Sequence, residues 1–286
     1  MRRSGFATSV RLIRRPEMTA NVPFAMVPLP AGRSAKPRKT GLTMMMDWGL
    51  PLGRAEDYMG LLAPYVDLVK IVVGTARLYP EDYLVKKLAM YKSHDVTPFL
   101  GGQFSEYVFA TQGWKAMPGF FAEAKRLGFD ALEVSDNCVP LNDDERAKMI
   151  RMAIAEGLEV HGEVGSKVVN QTPQDLIDQT EVCFDAGCHI VLVEGAELVT
   201  NGKVNEAMMA ALKGGLDLEH TLLELTGPWI KGVTLNDVFE LKKFLLTEFG
   251  PDVNLANVQP DDVMETEAQR CGLSVIGPKT RAEAAE

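Results

Sequence analysis

The residue with the most evident chemical potential is Lys70, in the middle of the apolar run DLVKIVVG from Asp67 to Gly74. An ammonium group in such a run is costly to bury without a partner. Lys70 either lies near a strand end and reaches solvent along its aliphatic stem, or points into a buried site where carboxylates set its charge. The second reading gains support because other apolar runs of the chain also end in a charged residue. Lys70 is therefore our first candidate for proton transfer or anion binding.

Carboxylates stand near the ends of four later apolar runs, at Glu133, Glu163, Glu194 and Glu224. Acids that converge on one rim repel each other unless a divalent cation or a lysine lies among them. Carboxylate oxygens are hard ligands that suit Mg²⁺. We expect Glu163, Glu194 and Glu224 to bind Mg²⁺, and Glu133 to act with Lys70 in catalysis. The alternative for each acid is that it caps a helix or pairs with a surface cation.

A histidine shares the strand face of one of these acids. His161 precedes Glu163 by two residues, so both side chains point to the same side of a strand. We include His161 as a catalytic candidate, with a satisfied core histidine as the alternative. Thr75, Gln103 and Asn257 follow or end other apolar runs and are candidates for substrate binding.

The elements that must position these residues are eight strands that alternate with helices from Thr40 onward, with a repeat of roughly 30 residues, as in βα units. The predicted strands are 41–47, 67–74, 96–102, 130–136, 158–165, 189–195, 221–227 and 253–258. Eight such units predict a single-domain α/β fold, the TIM (β/α)8 barrel, whose active site lies at the carboxyl ends of the strands. An open doubly wound sheet is the competing fold, but the first strand is not followed by G-x-G-x-x-G.

Composition excludes several classes of function. The chain has 286 residues, 46% hydrophobic and 24% charged, which is typical of a soluble globular protein. Its net charge of −9 and the lack of a basic stripe argue against nucleic acid. No apolar run reaches the roughly 18 residues of a membrane span. Four cysteines without C-x-x-C spacing favour reduced thiols in a cytoplasmic protein.

The two ends of the chain differ from the barrel region, which we predict to span 39–275. Residues 1–38 are rich in Arg and Pro and lack periodicity, so we interpret them as an irregular arm. A transit peptide or a true start at Met18 would also explain this composition. Residues 276–286 form a predicted tail.

Six motifs together resemble one known family, the phosphosulfolactate synthases. They occur in the order KPRKTGLTMMMDWGL, VKIVVGTARLYP, GGQFSE, GFDALEVSDN, GEVGSK and FGPDVNLANV. The resemblance implies a TIM barrel, a homo-oligomer, and Mg²⁺-dependent addition of sulfite to phosphoenolpyruvate, a small anionic substrate. It makes Lys70 the central lysine, and Lys167 a basic residue after the fifth strand.

The chain departs from the family pattern where anions would bind. Family members usually carry a lysine after the first-strand aspartate, where this chain has Trp48, and a serine where it has Ala76. An arginine after the sixth-strand glutamate is also missing, and the loop after the seventh strand is longer. Arg77 and Lys231 are candidates to replace one anion site, while Trp48 offers an aromatic wall.

Three functions follow as alternatives. The first is phosphosulfolactate synthase or a close sulfonate analogue, that is, an enzyme resembling a carbon–sulfur lyase. The second is a divergent Mg²⁺-dependent lyase or aldolase that stabilises an enolate of a larger, less anionic substrate. The third is a barrel without catalysis that serves as a binding or stress-associated protein.

Overall fold

A closed parallel barrel dominates the structure, a computed structural model that describes residues 23–27, 29, 34–166 and 171–275. Within these residues the barrel strands are β1 (Thr43–Asp47), β2 (Leu68–Ile71), β3 (Thr97–Leu100), β4 (Ala131–Val134), β5 (Glu159–Val164), β6 (Ile190–Val193), β9 (Thr221–Glu224) and β10 (Leu255–Val258). A short antiparallel hairpin, β7 (Val199–Thr200) with β8 (Lys203–Val204), follows β6. The strand order β1-β10-β9-β6-β5-β4-β3-β2 closes on itself. The predicted TIM (β/α)8 barrel is confirmed.

Helices follow each barrel strand and surround the sheet. They are α1 (Leu52–Leu62), α2 (Glu81–Ser93), α3 (Gly102–Gln112), α4 (Met117–Leu127), α5 (Asp143–Ala155), α6 (Pro173–Ala186), α7 (Glu206–Gly215), α8 (Leu235–Glu248) and α9 (Val263–Arg270). The unit after β3 has two helices, α3 and α4. Short 3-10 helices lie at Thr75–Leu78, Trp114–Ala116, Gly195–Leu198 and Pro260–Asp262.

Local sequence signals set several helix boundaries. Asn142, Thr172 and Thr234 each form a capping box with the acid three residues later, and so begin α5, α6 and α8. Gly128 and Gly187 end α4 and α6 with φ of 101° and 110°, a left-handed conformation that favours glycine.

Strand alternation separates two apolar layers. The larger lies between sheet and helices and contains outward-facing strand residues such as Met45, Val69 and Leu132. The smaller fills the barrel interior with Met44, Phe99, Ala131, Ile190, Leu192, Leu222 and Ala256. Lys70 is on the inward-facing side of β2, since its neighbours Val69 and Ile71 belong to the outer layer. This interior apolar layer lies beneath the polar side chains at the carboxyl ends of the strands.

Residues 34–38, which the sequence places in the arm, close the amino-terminal end of the barrel. Lys36 Nζ donates hydrogen bonds to the carbonyl oxygens of Ala63, Val66 and Asp95, and Arg38 Nε lies 3.2 Å from Asp67 Oδ1. Most of the predicted arm and the whole predicted tail lie outside the described residues.

Candidate active site

Lys70 lies among three glutamates inside the barrel. Its Nζ is 2.7 Å from Glu133 Oε2 on β4, 2.9 Å from Glu224 Oε1 on β9 and 3.9 Å from Glu163 Oε2 on β5. Only 5% of Lys70 is exposed, and the three acids are buried. Lys70 therefore points into the barrel and not along its stem to solvent, so the costly burial is offset by carboxylate partners.

Burial and charge act in opposite directions on the pKa of Lys70. Burial alone lowers the pKa, but the charges of Glu133, Glu224 and Glu163 together raise it well above its usual value. The group is therefore an ammonium ion at neutral pH. It can stabilise negative charge but cannot accept a proton there.

Glu133 differs from an ordinary glutamate. Burial, followed by the charge of Glu163, raises the pKa of Glu133 well above its usual value, although Lys70 opposes the shift. A hydrogen bond between the Glu133 and Glu163 carboxyl groups contributes in the same direction. Such interacting carboxyl groups titrate as a pair, and the raised pKa makes Glu133 the candidate proton donor of the site.

The donor set suits a divalent cation. Oxygen atoms of Glu133, Glu163 and Glu224 all lie within 4.8 Å of one another. Among the described residues, three glutamates against the Lys70 ammonium carry a formal charge of −2, or −1 when Glu133 holds a proton, so the cluster favours a cation such as Mg²⁺. Hard oxygen donors of this kind are those that Mg²⁺ prefers, together with water and substrate oxygens.

A second set of groups holds the glutamates in position. Asn137 Nδ2 donates to Glu163 Oε1 at 2.5 Å, and the Gly102 N–H at the start of α3 donates to Glu133 Oε1 at 2.8 Å. A Cβ on Gly102 would lie 2.3 Å from Ser135 Oγ, so only glycine lets the helix approach Glu133 this closely.

A cavity of about 170 Å³ opens above Lys70 and the three glutamates. Its lining also includes Met46, Trp48, Val72, Val73, Gly101, Gly102, Gln103, Trp229 and Asn257. Val73 and Asn257 have φ of 49° and 60°, and strained residues of this kind cluster at functional sites. Of the candidates from sequence, the cavity brings together Lys70, Glu133, Glu163, Glu224, Trp48, Gln103 and Asn257.

Two candidates do not line the cavity: His161, within β5, and Glu194, directly after β6. His161 is buried deeper in the barrel, with Nε2 3.2 Å from Glu159 Oε1 and its ring against Phe99. Burial lowers the pKa of His161, an environment that favours the alternative of a core histidine. The Glu194 carboxylate accepts a hydrogen bond from the Ala196 N–H at 3.1 Å, so Glu194 caps the 3-10 helix after β6.

Of the remaining candidates, Thr75 and Arg77 lie in the 3-10 helix after β2. Thr75 Oγ1 donates to the Val72 carbonyl at 2.8 Å. Arg77 is exposed and lines a separate cavity with Phe104. Lys231 is exposed in the loop between β9 and α8, and Lys167 lies outside the described residues.

Sequence reasoning missed two side chains of the site. Trp229 lines the cavity, with its ring centroid 5.8 Å from that of Trp48. The only signal for it was the long loop after β9. Asn137 follows the predicted strand 130–136, and a loop residue has no strand alternation to assign its direction.

Comparison with known proteins places these residues in a family. The model of the ComA family, described as (2R)-phospho-3-sulfolactate synthase, matches residues 31–275. The phosphosulfolactate synthase of Methanothermobacter thermautotrophicus is 31% identical over 252 residues, which cover 84% of this chain and 92% of the relative. Protein HEAT-STRESS-ASSOCIATED 32 of Arabidopsis thaliana is 23% identical over 266 residues, or 83% of this chain and 88% of that protein.

Proteins of low sequence identity share the fold of this chain. The structure of 3-hexulose-6-phosphate synthase from Salmonella typhimurium superposes with a TM-score of 0.50 and 13% identity, over 80% of this chain and 98% of that one. Among the described residues, no helix is long and apolar enough to span a membrane. Since the family match runs through every strand that carries Lys70 and the three glutamates, the chain belongs to the (2R)-phospho-3-sulfolactate synthase (ComA) family.

Proposed function

We propose that this protein is an Mg²⁺-dependent lyase that stabilises an enolate-like intermediate, with the addition of sulfite to phosphoenolpyruvate as its first candidate reaction. The observation that supports this best is the position of Lys70 Nζ, 2.7 Å from Glu133 Oε2 at the floor of a cavity, where the pKa of each group is raised. Family membership supplies the candidate substrates.

In the proposed reaction the sulfite sulfur attacks the methylene carbon, C3, of the substrate. The electron pair of the C2–C3 double bond then moves towards the substrate carboxylate. The Lys70 ammonium stabilises that charge, since a fixed cation in a water-poor site acts more strongly than one in water. Glu133 donates its proton to C2, and the resulting Glu133 carboxylate is stabilised by Lys70 and the Gly102 N–H.

Glu163 and Glu224 would hold Mg²⁺, which needs only one or two protein carboxylates when substrate oxygens complete its shell. When bound, the ion offsets the negative charge of the substrate carboxylate. This assignment leaves Glu133 free to act as the acid. Glu194, which caps a 3-10 helix, and His161 have no part in the proposed mechanism.

The direct experiment incubates the protein with phosphoenolpyruvate, sulfite and Mg²⁺ and follows the phosphate ester by ³¹P NMR. We expect phosphosulfolactate from the wild type and a loss of roughly 10²–10³ in kcat for Lys70→Met, as for other preorganised charges. Lys92→Met is the matched control, because Lys92 pairs with Asp130 at the other end of β4. No product from the wild type, or a Lys70→Met rate within threefold of it, would contradict the proposal.

Lys70→Met also leaves three buried carboxylates without their ammonium partner, a change that costs about 3–5 kcal/mol in comparable buried pairs. Urea unfolding of the same sample therefore belongs with the kinetic assay. It ensures that the lost turnover is measured on folded protein.

One observation favours a second candidate, the same chemistry on a larger and less anionic substrate. Trp48 and Trp229 form part of the cavity wall, where a phosphate-binding site would be expected to present cations.

A further inference from the structure

A second cavity adjoins the one above Lys70. It has a volume of about 730 Å³ and shares Trp48, Trp229 and Asn257 with the first. Much of its wall is apolar, with Leu225 and Phe239 among the lining residues. A volume of this size lies in the range of small-molecule sites, whereas the cavity above Lys70 has about 170 Å³.

Local contacts fix the positions of Trp48 and Trp229, which line both cavities. Asp47 Oδ1 accepts hydrogen bonds from the Gly49 and Leu50 N–H groups at 2.8 Å, which fixes the turn that carries Trp48. A Cβ on Gly227 would lie 2.2 Å from the Trp229 ring, so the ring packs directly over that glycine. Although 46% of Trp48 is exposed, its backbone position is defined.

The charged residues of the lining indicate which ligands the two cavities accept. Among the described residues, the cations that line the two cavities are Lys70 and Lys242, and both are engaged by glutamates, at 2.9 Å for Glu224 and 2.5 Å for Glu265. A second anionic group of a ligand would therefore have to compete with carboxylates already present.

Two buried oxygen atoms in the wall lack a hydrogen-bond partner among the described residues. They are Asn257 Oδ1, in a residue that is 6% exposed, and Thr226 Oγ1, in one that is 2% exposed. Both residues line the second cavity, and Asn257 lines both. Both oxygens are enclosed, so the apolar lining and the two tryptophans, and not these oxygens, define what the cavity accepts.

We infer that the second cavity is a substituent-binding subsite, and that the substrate is a 2-oxo or unsaturated carboxylic acid that carries an aryl group. The inference rests on the proposed function for its acid head, which lies at Lys70. The aryl group lies against the Trp48–Trp229 wall, where aromatic contact adds to the burial of apolar area.

The test compares two acids with the same head, phenylpyruvate and pyruvate, by calorimetric titration in Mg²⁺ buffer. Burial of a phenyl group predicts that the wild type binds phenylpyruvate roughly tenfold or more tightly than pyruvate. Trp48→Ala and Trp229→Ala should each remove most of this preference, so that the two acids bind with similar affinity. Trp114→Phe is the control, because Trp114 contacts Phe109 and Lys148, away from both cavities.

Equal affinity for the two acids, no binding of phenylpyruvate, or a preference that survives both tryptophan substitutions would overturn the inference. Lys70→Met separates this outcome from failure of the proposed function. If Lys70 holds the acid head, the variant weakens both acids by the same factor and keeps their ratio. The preference for phenylpyruvate could instead depend on the tryptophans while Lys70→Met changes the affinity of neither acid. That result would contradict the proposed function but would still support the subsite.

Discussion

At the scale of single residues, the site depends on placing one ammonium, Lys70, among three buried acids, of which Glu133 has a raised pKa. Burial, followed by the charge of Glu163, raises the pKa of Glu133, and the neighbouring carboxylates outweigh burial in raising the pKa of Lys70. A group that holds a proton and a group that holds a charge can then act on adjacent atoms of one substrate. The roles of the three glutamates can be separated by isosteric substitutions.

Glu133→Gln should lower kcat by roughly 10²–10⁴-fold, since it removes the proposed acid, and leave Mg²⁺ affinity within about threefold. Glu163→Gln, the matched variant, should lose Mg²⁺ affinity as well as turnover. Calorimetry with Mg²⁺ and the ³¹P NMR assay measure the two effects. Equal loss of Mg²⁺ affinity in both variants would instead make Glu133 a ligand.

Asn137→Ala should weaken Mg²⁺ binding by roughly 10–100-fold, the usual effect of removing a group that orients a ligand. The reason is its 2.5 Å hydrogen bond to Glu163. Asn142→Ala, in the same region, removes the cap of α5 and should leave Mg²⁺ affinity unchanged. If Mg²⁺ titrations find the Asn137 variant indistinguishable from wild type, Asn137 does not position Glu163.

At the scale of elements, the strands set the direction of the side chains and the helix starts refine it. The α3 start at Gly102 brings its N–H to Glu133, and the fit at this point leaves no room for a Cβ. The position of the acid therefore depends on one glycine at the junction of β3 and α3.

Gly102→Ala should reduce turnover, because the new Cβ would lie 2.3 Å from Ser135 Oγ and 3.0 Å from Glu133 Oε1. Gly119→Ala is the control within a helix, α4, where a Cβ meets nothing within 4 Å. There alanine should stabilise the protein by about 0.5–1 kcal/mol and leave kcat unchanged. Steady-state kinetics and urea unfolding of both variants test this. Normal kcat in the Gly102 variant would show that the contact does not matter.

Much of the fold and part of the site were predictable because both follow from strand periodicity. Alternation places Lys70, Glu133, Glu163 and Glu224 inside the barrel, since each lies within a regular strand. Alternation predicts which face of the sheet a side chain is on, but not how far along the barrel axis it lies. His161 is on the same face as Glu163 but roughly 6–7 Å further along the strand axis, at about 3.3 Å per residue.

Alternation does not predict the direction of side chains beyond the end of a strand. Strand β6 ends at Val193, so Glu194 already belongs to the turn and its carboxylate bonds to Ala196. Trp229 comes from a loop whose path depends on the packing over Gly227, a contact that no periodic pattern encodes. Asn137 is also a loop residue, and its direction depends on tertiary contacts.

At the scale of the whole molecule, the two ends of the barrel serve different purposes. The carboxyl ends of the strands carry the charged cluster and both cavities. The amino ends are closed by residues 34–38 through Lys36 and Arg38. In barrels of this type the first end carries activity and the second carries stability.

Lys36→Met should therefore destabilise the protein by about 0.5–1.5 kcal/mol, because it removes the donor to part-buried and exposed carbonyl oxygens, and should not change kcat. Urea unfolding and steady-state kinetics measure the two quantities. A fall in kcat at a temperature where the variant is fully folded would show that the two ends are coupled.

The most direct measurement of the central claim is a calorimetric titration of the protein with Mg²⁺, with and without the charged cluster. We expect one ion per chain in the wild type, and no binding in Glu163→Gln/Glu224→Gln. A surface pair, Glu181→Gln/Glu240→Gln, should bind as the wild type does. Failure of the wild type to bind Mg²⁺, or equal binding by the cluster variant, would contradict the account.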